Sequence, residues 1–331
     1  TAQINATGTI ASRALQIPFE LGVWVGLVSI LLCSMLGGMR AVTWTQVAQY
    51  IVLIIAYLIP VFWISSSGNY GIFPHLMLGD EVAKLGELEA TFGLKENSKE
   101  AMAAMTFADG SPVKGLKYIV NSHAGVPDGA MAAWKFISLV ICMMVGTASL
   151  PHILMRYFTT PSVKAARKSV AWSLFFIALL YTSAPMLATV SKLSLMDPSL
   201  ATGIIGKSIA EVQSIDWYQA WNAQKWMHIQ DFDNDGKLAL NEFFMRGDIV
   251  VLATPEIAGL PYVISGLVAA GGMAAAMSTA DGLILAIANA LSHDIYFKII
   301  DPKADVRKRL LVARALLVVI GAAGAFVASM K

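Results

Sequence analysis

Charge and cysteine are what this sequence has least of. Charged residues fill 14% of its 331 positions, against about 25% in an ordinary soluble domain. That shortage excludes a soluble enzyme, and the apolar content excludes a disordered chain. Two cysteines, Cys33 and Cys142, cannot build a disulfide framework. A net charge of +2 leaves no electrostatic footprint for nucleic acid, so none is expected as a partner. What is abundant is apolar: 56% of the residues, with a mean hydropathy of +0.63. These residues come in long runs, not in the alternating ten-residue segments of a membrane barrel. The expected fold class is an all-α polytopic membrane protein, with the lipid bilayer as its first partner and no enzymatic activity. The chain starts at Thr1 and no signal peptide precedes its first apolar run, so it reads as an internal piece of a longer protein.

A helix needs about 20 apolar residues to cross about 30 Å of hydrocarbon. Six stretches reach or approach that length: 18–38, 45–64, 132–154, 170–190, 262–296 and 310–330. They divide the chain into two spans within 1–64, an insertion at 65–131, two spans within 132–190, a second insertion at 191–259, and two spans within 260–331. The short links after the first, third and fifth spans hold ten basic residues, Arg40, Arg156 and Lys168 among them, against three acidic ones. The excess of Lys and Arg places these links in the cytoplasm and both insertions outside, in a bacterial inner membrane. The insertions carry eight and nine acidic residues, with five basic residues each, and are expected to form small, partly helical caps.

The sharpest local signal lies in the second insertion. Residues 231–242 fit the twelve-residue EF-hand calcium loop. Asp231, Asp233 and Asp235 supply oxygens at positions one, three and five, and Gly236 allows the sharp turn at six. Lys237 offers its carbonyl at seven, and Glu242 closes the site with a bidentate carboxylate. Trp217, Tyr218 and Trp221 before the loop, and Phe243 and Phe244 after it, are compatible with helical flanks. Only one such loop is present, and calcium outside a cell is abundant, so a structural Ca²⁺ clamp is expected here before a calcium switch.

The fifth span carries the second signal, from Gly271 through Met277-Ser278-Thr279-Ala280-Asp281-Gly282. At about 100° per residue, Ser278, Thr279, Gly282, Asn289 and His293 fall within about 60° of Ala275, while Ile284, Ile287 and Leu291 fall opposite. One face is small and polar, as suits a hydrated pathway or a tight helix contact. Two hydroxyls beside a backbone carbonyl make a Na⁺-type site: Ala275, Ser278 and Thr279. Asp281 is an intramembrane carboxylate, which is expensive and usually functional. It is read as part of the solute pathway, as a proton carrier or as the partner of a basic residue. In the third span, Gly146-Thr147-Ala148-Ser149-Leu150-Pro151-His152 interrupts an apolar run. A helix broken there exposes backbone groups to solutes, so Gly146, Thr147 and Ser149 join the pathway candidates.

Together with Gly37-Gly38-Met39-Arg40-Ala41-Val42-Thr43-Trp44-Thr45-Gln46 and Ser292-His293-Asp294-Ile295-Tyr296, these runs resemble the sodium:solute symporter family. The likeness is to its acetate and monocarboxylate permease branch, in the same motif order, and it covers the spans but not the insertions. The resemblance implies the inverted-repeat fold of the leucine transporter, with the six spans as core helices four to nine. It implies Na⁺ as coupling ion on Ala275, Ser278 and Thr279, a small organic anion as solute, and, as in some members, a short membrane subunit as partner. Gln46 stands where many members carry Asp, on the inner ion path. The expected function is Na⁺-coupled symport of a monocarboxylate such as acetate. The alternatives are a proton-coupled permease, a transporter-like sensor coupled to a signalling module, and a calcium-dependent receptor whose spans only anchor it.

Overall fold

In a computed structural model the described residues are 1–67, 74–93, 97–118, 130–157 and 160–330. His123 and the end of the first insertion lie outside them. The described residues are 76% helical. In order, the elements are α1 (Ala2–Leu15), α2 (Phe19–Met35), α3 (Val42–Ser67), α4 (Pro74–Phe92), α5 (Lys99–Ala103), β1 (Lys117–Tyr118), α6 (Ala130–Ala148), α7 (Pro151–Tyr157) and α8 (Val163–Met196). There follow α9 (Ile209–Gln213), α10 (Asp216–Ala223), β2 (Met227–Ile229), β3 (Phe243–Met245), α11 (Val250–Ile257), α12 (Tyr262–Ile300) and α13 (Val306–Ser329).

Among the described residues four helices are long and apolar enough to cross a membrane: α3, α8, α12 and α13. The first expected span is different. α2 is joined to α1 across a three-residue break at a bend of 111°. Composition hides α1, which is short and rich in Gln, Asn, Thr and Ser. Its partner α2 approaches it closely because glycines face it. A Cβ at Gly22 would lie 2.6 Å from the Gly8 carbonyl oxygen, and one at Gly26 would lie 2.3 Å from Thr7 Cγ2. Small residues at such crossings let backbones pack within van der Waals range. The third expected span is also shorter than its apolar run. α6 stops at Ala148 and α7 restarts at Pro151, where proline has no N–H to donate.

The residues fall into two compact units. The first holds Thr1–Ile55, Gly129–Phe176 and Ala269–Lys331. Its core joins Ile4 of α1, Val23 and Ile30 of α2, Ile284 and Ala288 of α12, and Leu317 and Ala325 of α13. The second unit holds Ala56–Asp128 and Ile177–Val268. Within it the two insertions, separate in the sequence reading, share one antiparallel sheet of order β1-β3-β2. Lys117 pairs with Met245, and Met227 pairs with Met245 on its other side. Beneath the sheet Trp221, Tyr218, Phe243 and Leu238 pack against Leu85 of α4 and Leu193 of α8. Lys225 to Asp109 and Asn241 to Asn97 (2.7 Å) add polar ties between the insertions.

Two further expectations are corrected. The acidic loop is flanked by β2 and β3, not by helices: Phe243 and Phe244 are strand residues whose side chains are buried in the unit. And α12 leaves the α-helical period at Ala290, continuing as π-helix to Ile300. A π-helix advances less per residue, so the projection that put His293 directly in line with Ala275 does not hold beyond Asn289.

Candidate functional site

On α12 three oxygens gather within one turn. Ser278 Oγ donates to the Ala275 carbonyl at 3.0 Å, and Thr279 Oγ1 reaches the same carbonyl at 3.5 Å. Hydroxyls on a helix commonly bond back in this way, and each oxygen retains acceptor capacity. The donor set is neutral and hard, which suits Na⁺. Gln46 of α3 reaches this turn from another helix: its Nε2 donates to the Ser278 carbonyl at 2.6 Å. The structure thus brings Gln46, Ala275, Ser278 and Thr279 together.

Asp281 lies three residues beyond Ser278 and is 0% exposed. Ser34 Oγ of α2 donates to its Oδ1 at 2.5 Å, while Oδ2 has no hydrogen-bond partner among the described residues. The partner is therefore a hydroxyl, not the basic residue that sequence reasoning allowed for. Ser34 carries no sequence signal, because a serine in an apolar run looks like any small packing residue.

Gly146, Thr147 and Ser149 stand exposed at the end of α6, with Ser149 Oγ donating to the Gly146 carbonyl at 3.1 Å. The interrupted run touches α12 through later residues: His152 and Arg156 of α7 lie against Gly282.

The acidic loop is a separate candidate. Carboxylate oxygens of Asp231, Asp233 and Asp235 lie within 4.8 Å of one another. The backbone shapes that cluster. Asp231 accepts from the N–H groups of Asn234 (2.7 Å) and Gly236 (3.2 Å), and Asp235 accepts from Lys237 (2.7 Å). Gly236, at φ 72°, supplies the left-handed turn that other residues resist. Lys237 pairs with Ser208 in a short β-bridge, so the far side of the loop is anchored. Glu242, 1% exposed, accepts from Phe232 N (2.8 Å) and Ala239 N (2.9 Å), closing the loop on its own backbone.

Glu81 on α4 was not foreseen. It is 2% exposed and accepts from Ser65 Oγ at 3.1 Å, while its Oε2 has no partner among the described residues. Burial raises its pKa to about 7 despite the Ser65 hydrogen bond. Nothing in the sequence separates it from the solvated acids of the same helix.

Apolar helices long enough to span, with hydroxyl, amide and carboxylate groups turned inward between them, define a multi-pass α-helical membrane protein. The profile of the sodium:solute symporter family matches residues 1–207 and 249–331. An uncharacterised symporter of Cupriavidus necator is 36% identical over 400 aligned positions, covering 100% of this chain and 58% of that protein. A monocarboxylic acid transporter of Corynebacterium glutamicum is 25% identical over 327 residues, covering 97% of this chain and 48% of its own length. The chain belongs to the sodium:solute symporter family. It spans about half the length of the curated relatives it matches. The unmatched segment, 208–248, contains the acidic loop.

Proposed function

We propose that this chain forms part of a Na⁺-coupled symporter for a small monocarboxylate such as acetate, in a bacterial inner membrane and with a leucine-transporter-like inverted repeat. The observation that carries the reading is the turn of α12 where the Ala275 carbonyl, Ser278 Oγ and Thr279 Oγ1 converge and Gln46 holds the backbone. Family membership supports Na⁺ as the ion, and the name of the Corynebacterium relative supports a monocarboxylate. In this reading the ion supplies charge and driving force, about 2.3 kcal/mol per inward charge at about 100 mV. Ala275, Ser278 and Thr279 replace part of its hydration shell, and Gln46 fixes the turn that presents them. A short membrane subunit remains a proposed partner, to be sought by co-purification. The test is uptake of labelled acetate by full-length protein in proteoliposomes, with and without an inward Na⁺ gradient. Ser278→Ala is expected to raise the half-saturating Na⁺ concentration about tenfold, equivalent to about 1.4 kcal/mol. No Na⁺ response for any small carboxylate, in folded protein, overturns the coupling.

A second proposal concerns the loop 231–242: Asp231, Asp233 and Asp235, with the Lys237 carbonyl and Glu242, hold a structural Ca²⁺. The supporting observation is the clustering of three carboxylates in a loop whose backbone already carries the necessary turn. Ca²⁺ at about a hundred times its dissociation constant is expected to stabilise the protein by about 2.7 kcal/mol. Thermal unfolding with Ca²⁺ and with a chelator reads this directly, and an unchanged Tm rejects it.

A further inference from the structure

We propose that the end of α12 and the start of α13 hold an anionic phospholipid, with its phosphate at Arg309 and an acyl chain in a cavity along α12. The proposal rests on the cytoplasmic placement of the link between these helices. It uses neither the ion nor the solute of the reading above, so either can fail without the other.

The charge comes first. Between His293 and Arg309 there are five basic residues and three acidic ones, a net +2. Two of the acids are neutralised by their own lysines. Lys298 Nζ donates to Asp294 Oδ1 at 2.9 Å, and Lys308 Nζ donates to Asp301 Oδ2 at 2.7 Å. That leaves Lys303, Arg307 and Arg309 against Asp305, with no carboxylate paired to any of the three among the described residues. Arg309 is held in place. Its guanidinium carbon lies 4.2 Å from the centre of the Phe297 ring, and Phe297 stacks on His293 at 5.8 Å and 25°. A guanidinium lying on an aromatic face keeps its edge N–H groups for an anion. That fork matches two oxygens of a phosphate.

The cavity adjoins this stack. Its volume, about 520 Å³, lies in the range of small-molecule sites. Ala286, Ile287 and Ala290 of α12, with Pro151 of α7, give it apolar walls, and Asn289 adds one amide. Further along α12 the lining turns polar, with Ser292, His293 and Asp294. His293 thus belongs both to the cavity and to the aromatic stack. Ser292 Oγ donates to the Arg309 carbonyl at 3.3 Å, which ties the polar end to the start of α13. The same end lies in the π-helical stretch from Ala290, a form frequent at functional sites.

A ligand with an anionic head and an apolar tail fits both parts, whereas a free phosphate leaves the apolar part unused. The surroundings also favour a lipid. Ile299, Ile300, Val306 and Leu310 are exposed beside the basic residues. Apolar and cationic side chains together suit a headgroup layer. The excess of Lys and Arg puts this level in the cytoplasmic leaflet, where basic pockets between helices take anionic headgroups.

The test follows thermal unfolding of delipidated full-length protein in neutral detergent. Phosphatidylglycerol, phosphatidylcholine with the same chains, or inorganic phosphate is added. Phosphatidylglycerol is expected to raise Tm saturably, and the other two to leave it in place. Arg309→Gln is expected to raise the half-saturating phosphatidylglycerol at least about tenfold, through lost charge-assisted hydrogen bonds. Ile287→Trp fills the apolar wall at a position 47% exposed, where a larger side chain is tolerated. It is expected to weaken the response severalfold with charge unchanged. Lys164→Gln, at the start of α8, removes the same charge away from the site and is expected to leave the response as in wild type. If Arg309→Gln fails to fold, Ile287→Trp and Lys164→Gln decide. An equal response to phosphatidylcholine overturns the site, as does inorganic phosphate matching phosphatidylglycerol. Equal losses in Arg309→Gln and Lys164→Gln, or an unchanged response in Ile287→Trp, overturn it too.

Discussion

Two buried carboxylates, one in each unit, are held differently. In the second unit Glu242 has both oxygens on backbone N–H groups of its own loop. In the first, Asp281 is equally buried but accepts only from Ser34, and its other oxygen has no partner among the described residues. Glu81 of the second unit resembles Asp281, with one serine and one oxygen that has no partner among the described residues. A fully satisfied carboxylate stabilises a loop, whereas a half-satisfied one costs stability and is retained for what it does. Glu242 therefore stabilises its loop, whereas Asp281 and Glu81 each keep one oxygen without a partner among the described residues.

The largest expected effect separates these roles at Glu242. Glu242→Ala leaves two part-buried N–H groups, of Phe232 and Ala239, without acceptors. At about 1.5–3 kcal/mol per charged hydrogen bond, the second unit is expected to lose about 3 kcal/mol or more, measured by denaturant unfolding followed through its tryptophans.

Glu81 comes next. Its folded pKa, about 7, lies above the ordinary 4.5, so the native state holds more protons between these values. Stability contributed by the protonated form is complete below about pH 4.5 and is lost as pH rises through 7. The loss approaches about 3 kcal/mol at 1.36 kcal/mol per pKa unit. Glu81→Gln is expected to flatten this dependence and to raise Tm at pH 8. An unchanged pH profile would place Glu81 with the ordinary solvated acids.

The smallest stability effect is expected at Asp281. Asp281→Asn removes a buried charge while keeping the shape and an acceptor for Ser34, so stability should change by less than about 1 kcal/mol. Acetate uptake should nevertheless fall at least tenfold. A large loss of stability with uptake retained would reverse the contrast with Glu242.

Much of the membrane part was legible because lipid imposes a length and a polarity on each span. The apolar runs at 45–64, 170–190 and 262–296 each lie within one of the four long helices, and 310–330 passes the end of α13 by one residue. The grouping of Ala275, Ser278 and Thr279 was legible too, since neighbours on one helical turn need only the period. What pairs across helices was not. Ser34 with Asp281, Gln46 with the Ser278 carbonyl, and His152 and Arg156 with Gly282 are separated by more than a hundred residues, and no local pattern encodes them. The acidic loop shows the same division. Its internal turns follow from Asp and Gly at fixed spacing, but its flanks were misread. Trp217 and Tyr218 do lie on a helix, α10, but β2 and β3 immediately bound the loop.

The sequence by itself determined that this chain is helical and membrane-spanning, where its polar turns fall, and which carboxylates crowd one loop. These properties depend on composition and on short periods along the chain. The tertiary structure decided that α1 and α2 fold back on one another, that two distant insertions complete one sheet, and which buried carboxylate is satisfied. Those outcomes depend on close approach between segments far apart in sequence, where a missing Cβ at Gly22 or Gly282 matters as much as any charged group.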